Sequence, residues 1–188
     1  MIIETIVTTR SPNGEPHIAP MGATVVEGGY LLQPFRPSRT LENLAATGVG
    51  VVNLTDDVRI FAGCVAGRRH SVPTRPASTI DCPRLTETLA HDEFTVERVE
   101  EDPQRPRFFC RIRHSEGHGR FLGLNRAKAA VLEGAVLVSR LSMLEPERID
   151  RDMAYLAIAV DKTAGPAERE AWEWLVAAVA DHRRKRAS

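Results

Sequence analysis

Residues 1–32 read MIIETIVTTRSPNGEPHIAPMGATVVEGGYLL, and the fold turns on how this stretch is parsed. A β-branched run from Ile2 to Thr9 is followed by Ser11-Pro12-Asn13-Gly14, an Asn-Gly reversal of the kind that joins adjacent strands. Pro16 to Val26 then resumes an extended, apolar-rich pattern, so the two runs predict a hairpin. Gly28-Gly29 punctuates the chain again before Tyr30-Leu31-Leu32. Three short strands in succession predict an antiparallel meander and exclude an opening βαβ unit.

The next segment runs from Pro34 to Leu44. Ser38 is a suitable N-cap, Leu41, Leu44 and Ala45 share one helical face, and Gly48 is a natural stop, which predicts a loop and a short helix. Val49 to Leu54 reads as a buried strand, and Asp56 as the cap of a short helix reaching about Ala66. Residues 68–92 contain Pro73, Pro76 and Pro83 without a clear period, so this stretch is expected to be mostly loop, with a short helix near Leu85 to Leu89. Alternation over Phe94 to Val99 and Arg107 to His114 predicts two further strands of the same sheet.

From Asn125 the pattern becomes helical. Asn125 can cap a helix to about Leu141, and Pro146 suits the first position of another, carrying Ile149, Met153, Leu156, Ala157 and Val160 on one side. Gly165-Pro166 opens a third, with Trp172, Leu175, Val176 and Val179 as its stripe and a frayed end from Arg183. These helices form a layer that packs on the barrel or on a partner subunit. The division expected is residues 1–122 and 123–188.

The totals bound the function. At 188 residues one main domain is the default, and 25 Lys plus Arg against 25 Asp plus Glu gives no net charge to favour nucleic acid or an anionic membrane. The N-terminus lacks a basic, apolar leader pattern and no stretch approaches the ~20 apolar residues of a membrane span, so a cytoplasmic protein is expected. Cys64, Cys82 and Cys110 are scattered and odd in number, which indicates reduced thiols rather than disulfides or a zinc ribbon. No G-x-S-x-G, P-loop or G-x-G-x-x-G motif is present. His114 and His118 stand four apart on a strand-to-turn segment, where convergence is not required, so no metal is expected; His70, His91 and His182 have polar neighbours and read as surface residues.

Three segments can carry chemistry. Arg36, Ser38, Arg39, Thr40 and Asn43 gather at a helix start, where unpaired amides, the helix dipole and side-chain donors suit a phosphate; the alternative is an ordinary capped helix with surface arginines. Pro20-Met21-Gly22-Ala23-Thr24 places a glycine inside a strand, which permits close approach by a flat ligand or marks a β-bulge. Asn53 and Thr55 end a strand, where they could meet the same ligand or cap the helix that follows.

The order of these segments, hairpin, Pro20-Met21-Gly22, Phe35 to Asn43, then Val51-Val52-Asn53-Leu54-Thr55, resembles the FMN-binding split-barrel superfamily of flavin reductases and pyridoxamine-phosphate-oxidase-like proteins. Within it the chain is most similar to an uncharacterised group of archaea and methylotrophic bacteria, a domain of unknown function that shares the segment Leu124 to Glu133. The resemblance implies an α+β, mainly β, fold: an FMN-binding split β-barrel with a C-terminal helical layer. It further implies FMN at a homodimer interface, its phosphate near Arg36, Ser38, Thr40 and Asn43, and its ring system near Met21, Gly22, Ala23, Asn53 and Thr55. Asn125, Arg126 and Lys128 open a helix with basic charge and are expected either to reach the same site or to form a solvated first turn. The function expected is an oxidoreductase or flavin reductase passing hydride or electrons through FMN from NAD(P)H or a redox protein. The rivals are a non-enzymatic flavin carrier and a reductase of tetrahydromethanopterin-type cofactor metabolism, the latter by association alone.

Overall fold

The computed structural model describes residues 1–68 and 72–187. His70 lies outside them. The chain divides into two compact units, residues 1–55 with 72–120, and residues 56–71 with 121–188.

The first unit is a closed, wholly antiparallel barrel in the order β1-β2-β3-β8-β7-β4. Its strands are β1 (Ile2–Arg10), β2 (Pro16–Val26), β3 (Gly29–Leu32), β4 (Val49–Leu54), β7 (Ala90–Glu100) and β8 (Arg107–Gly117). The meander read from the first 32 residues is therefore β1-β2-β3, registered from Ile2 opposite Thr24 to Arg10 opposite Pro16. Side chains that alternate inward fill the interior: Val7, Ala23, Tyr30, Leu32, Val52, Phe94, Phe108 and Cys110 form one buried cluster with Leu41 and Leu44. The last two come from α1 (Arg39–Thr47), which packs on β1 and β2. Ser38 caps α1, and Gly48 ends it at φ 67°, a left-handed conformation in which a side chain would be strained.

The proline-rich stretch is more ordered than its sequence suggests. It forms a two-stranded hairpin, β5 (Thr74–Pro76) with β6 (Pro83–Leu85), and the helix expected near Leu85 to Leu89 does not form. Tertiary hydrogen bonds take its place. The amide of Leu85 donates to Asn53 Oδ1 at 2.8 Å, the Thr8 hydroxyl to the Pro83 carbonyl at 2.6 Å, and the Leu89 amide to the Leu54 carbonyl at 2.9 Å. Polar side chains on β1 and β4 thus clamp this segment to the barrel wall, which local periodicity could not reveal.

The second unit is helical: α2 (Val58–Val65), α3 (Arg126–Val138), α4 (Pro146–Thr163) and α5 (Pro166–Ala187). Asp57, not Asp56, caps α2. Asp56 pairs instead with Lys128 at 2.5 Å. Residues 56–68 pack with the C-terminal helices, so the compact units cut the chain differently from a single boundary at 122/123. On α5 the buried stripe is Ala171, Leu175 and Val179, while Val176 is exposed, and the helix continues past Arg183 to Ala187. All three cysteines are buried and unpaired with one another.

Candidate functional site

The start of α1 gathers groups that suit an anion. Ser38 Oγ accepts the Leu41 amide at 3.3 Å, which leaves the first-turn amides of Arg39 and Thr40 without a partner in the helix itself. Arg36 and Arg39 are exposed beside it. Arg36 pairs with Glu101 at 2.9 Å across an exposed surface, a contact worth ~0–1 kcal/mol that an incoming anion can displace. Thr40 is buried beneath the same turn.

Next to α1 lies an open strand edge. β2 pairs with β3 only over Ala23–Val26, so among the described residues its stretch from Ala19 to Gly22 has no strand on that side, while His17 and Ile18 before it are buried. Met21 and Gly22 are half-buried there and Ala23 is fully buried. A Cβ at Gly22 would come within 3.1 Å of Ile2 Cγ2 and 3.7 Å of Glu4 Oε1, so the glycine keeps this part of the sheet low and flat. A helix start of this kind suits an anion, and a strand edge of this kind suits the rim of a planar heterocycle.

Other residues in the expected site are occupied elsewhere. Asn43 donates to Thr9 Oγ1 at 3.0 Å. Asn53, with no exposed surface, donates to the Ile6 carbonyl at 3.0 Å and to Thr8 Oγ1 at 3.1 Å while accepting Leu85 N–H. Asn43 thus ties α1 to β1 through one hydrogen bond, and Asn53 is bonded within the fold on both its nitrogen and its oxygen. Asn125 caps α3 by accepting the amides of Ala127 and Lys128 and donates to the Thr163 carbonyl at 3.0 Å. Lys128 is held by Asp56, and Arg126 is exposed. Thr55 is half-buried.

A second constellation was missed by the sequence reading. His91, expected on the surface, is fully buried, and His118 Nε2 lies 2.8 Å from its Nδ1. Cross-strand register brings Glu116 opposite His91 and His114 opposite Glu93. His91 and Glu93 are two apart on β7 and so share a face, 3.2 Å from Nε2 to Oε1. Asp92 between them points the other way and accepts the Tyr30 hydroxyl at 2.6 Å, which with burial holds that phenol above its ordinary range. Glu93 has no accessible surface. Burial alone would raise its pKa, yet the Thr79 hydroxyl, the amides of Ser78 and Thr79 and the His91 ring pull it down to about 2. The clue in the sequence was the alternation His91-x-Glu93 facing His114-x-Glu116; the turn that returns His118 onto His91 was not legible.

Family models for a protein of unknown function, DUF447, match residues 3–119 (its N-terminal domain) and 125–177. A search of curated proteins finds no match. Among solved structures the fold is shared over 94% of both chains with an FMN-bound DUF447 protein of Methanosarcina mazei, at 20% identity and a TM-score of 0.81. The 2-nitrobenzoate 2-nitroreductase of Pseudomonas fluorescens is similar over 61% of this chain and 64% of its own, at 21% identity and TM-score 0.54. A putative flavin reductase of Haemophilus somnus is similar over 61% and 80%, at 17% and 0.52. These likenesses place the architecture among the split barrels, and the match of the family models along most of its length shows that the chain belongs to the DUF447 family.

Proposed function

We propose that the barrel binds FMN and works as a flavin-dependent oxidoreductase. The observation that carries this reading is the unpaired start of α1 beside the open edge of β2. The full-length likeness to an FMN-bound protein supports it. In this reading the amides of Arg39 and Thr40, the Ser38 hydroxyl and the Arg36 guanidinium hold the phosphate, and the backbone at Met21, Gly22 and Ala23 meets the ring system. When bound, the flavin supplies the hydride and electron chemistry, and the residues around it supply orientation and a polarised surround.

The electron donor in this reading is NAD(P)H or a reduced redox protein. Ile2, Val25, Val26 and Phe35 leave apolar surface exposed on the barrel, which favours a second copy as its cover and hence a homodimer. Three buried cysteines, none in a disulfide, suit a reducing, cytoplasmic setting, and no helix among the described residues is long and apolar enough to cross a membrane.

The test is the visible spectrum of the purified protein before and after incubation with FMN and desalting. Retained flavin bands are expected. The Arg36→Ala variant should weaken FMN binding by roughly 10–100-fold, the loss expected for one charge-assisted hydrogen bond. A colourless protein that fails to retain FMN overturns the reading, and bound flavin that neither NADH, NADPH nor a reduced redox protein can bleach assigns the protein to carriage rather than catalysis.

A further inference from the structure

The His91 cluster uses none of the residues assigned above to the flavin and has two chemical readings. His91, Glu116 and His118, or His91, Glu93 and His114, bring ligand atoms within 4.8 Å of one another, as a metal site would require. For the first of these sets the ring geometry argues otherwise. The His91 and His118 planes differ by 5°, with centroids 5.0 Å and facing nitrogens 2.8 Å apart. Those three values are compatible only with rings meeting end to end in almost one plane, so that the two nitrogen axes are nearly collinear. A metal on that line would need the nitrogens about 4 Å apart, twice the usual metal–imidazole distance of about 2 Å. At 2.8 Å the nitrogens share a proton.

The tautomers follow from the buried end. Glu93 is a carboxylate, so His91 Nε2 carries a proton and donates it at 3.2 Å. A neutral His91 then presents a bare Nδ1, and the facing Nε2–H of His118 donates to it. His118 is left with a bare Nδ1 on a side chain one-fifth exposed, 3.9 Å from Glu116 Oε1, beyond hydrogen-bond range. We propose that Glu93, His91 and His118 form a proton relay in which His118 Nδ1 exchanges a proton with an oxygen or nitrogen acid docking at this end of the barrel.

Each proton is accounted for. When His118 Nδ1 takes a proton from the acid, the acid leaves as its conjugate base and the His118 ring carries two protons. The Nε2 proton crosses to His91 Nδ1. His118 is neutral again, now as the Nδ1–H tautomer, and His91 is an imidazolium whose Nε2–H remains on Glu93. No electrons are transferred, and the reverse sequence returns the proton. Glu93 and His91 are positioning residues that fix the tautomer and neutralise the charge, the role a buried carboxylate plays behind a catalytic histidine.

The charged groups around His118 set its resting state. Burial and then Arg84 on β6 lower its pKa, Glu116 on β8 opposes them, and His91 on β7 and Arg75 on β5 add to the lowering. His118 therefore rests neutral, with its base available. Arg84 is buried and Arg75 exposed, and both favour an acid whose conjugate base is an anion. Two guanidinium groups at this place also oppose a divalent cation.

The experiment is nitrogen-15 NMR of the whole chain labelled at histidine and treated with EDTA, followed from about pH 5 to about pH 9. Nε2–H tautomers are expected for both His91 and His118 at high pH, with the pair taking up one proton as a coupled unit. Glu93→Gln should make the pair harder to protonate, so that its proton uptake moves to lower pH. Because that variant removes a buried anchor and could unfold, His118→Gln serves as the second. It keeps an N–H donor for His91 at a partly exposed position and should abolish the pH response of His91. The relay is overturned by an Nδ1–H tautomer of His118 at high pH, by two independent titrations, by a His91 response that survives His118→Gln, or by stoichiometric zinc that EDTA removes with a change in both rings.

Discussion

Replacing Glu93 by glutamine tests how the barrel wall is held, because this carboxylate is the anchor of residues 78–80. It accepts the Thr79 amide at 2.7 Å, the Thr79 hydroxyl at 2.6 Å, the Ile80 amide at 3.2 Å and the Ser78 amide, besides the His91 ring. Its pKa falls from an ordinary 4.5 to about 2 in the fold. At ~1.36 kcal/mol per unit, the carboxylate form contributes about 3 kcal/mol, or roughly 2–3 kcal/mol once discounted for the thin, exposed loop that covers it. A depressed carboxylate pKa stabilises above the unfolded value, so this contribution is complete above about pH 4.5 and is lost as the pH falls towards about 2. By about pH 3 some 2 kcal/mol should be gone. Urea unfolding at pH 7 and pH 3 measures this, followed by far-ultraviolet circular dichroism, because Trp172 and Trp174 both lie in α5 and report on the helices. Glu93→Gln should cost roughly 2–3 kcal/mol at pH 7 and flatten the decline between pH 4.5 and pH 3. A variant as stable as the parent, with the same acid slope, refutes the account.

Two further perturbations bear on the same wall and on the core. Asn53→Ala should destabilise the barrel by about 3–5 kcal/mol, since it leaves the Leu85 amide and the Ile6 carbonyl unsatisfied at roughly 1–3 kcal/mol each and loses packing as well; a loss below about 1 kcal/mol in the same unfolding assay counts against its structural role. Cys82 and Cys110, whose thiols burial pushes up to about 12, should resist a thiol reagent at pH 8 until denaturant is added; prompt labelling of Cys110 in the native protein would show that the barrel interior is open, and of Cys82 that the β5–β6 hairpin lifts from β1.

The parts of the fold legible in sequence are those where local chemistry and tertiary need agree. Asn13-Gly14, Ser38, Gly48, Asn125 and Pro146 each mark a boundary that the structure keeps, because caps and turns are satisfied within a few residues. Residues 68–92 failed the reading for the opposite reason. The Leu85 N–H and the Pro83 carbonyl are met by Asn53 and Thr8, which lie far back in the chain, so no window of sequence around them contains those partners. The candidate flavin site shows the same division. The helix start and the strand glycine could be read locally, whereas the inward turn of Asn43 and Asn53 depends on which face of α1 and β4 meets β1. His91 was misread because its polar neighbours Asp92 and Glu93 are themselves buried, each against a partner far along the chain.

The placement of α2 has a consequence for how the chain is made. Its buried face, Val58, Ile60, Phe61 and Cys64, packs against α3 and α5. Synthesis delivers α2 roughly a hundred residues ahead of α5, and the remaining barrel strands emerge in between. During that interval an apolar helix has no finished surface to rest on, a condition that invites chaperone capture or association with a neighbouring nascent chain. A stop codon near residue 120 would therefore leave a barrel carrying a permanently unpartnered helix, and deleting 56–68 together with the C-terminal region is the truncation that respects how the molecule is assembled.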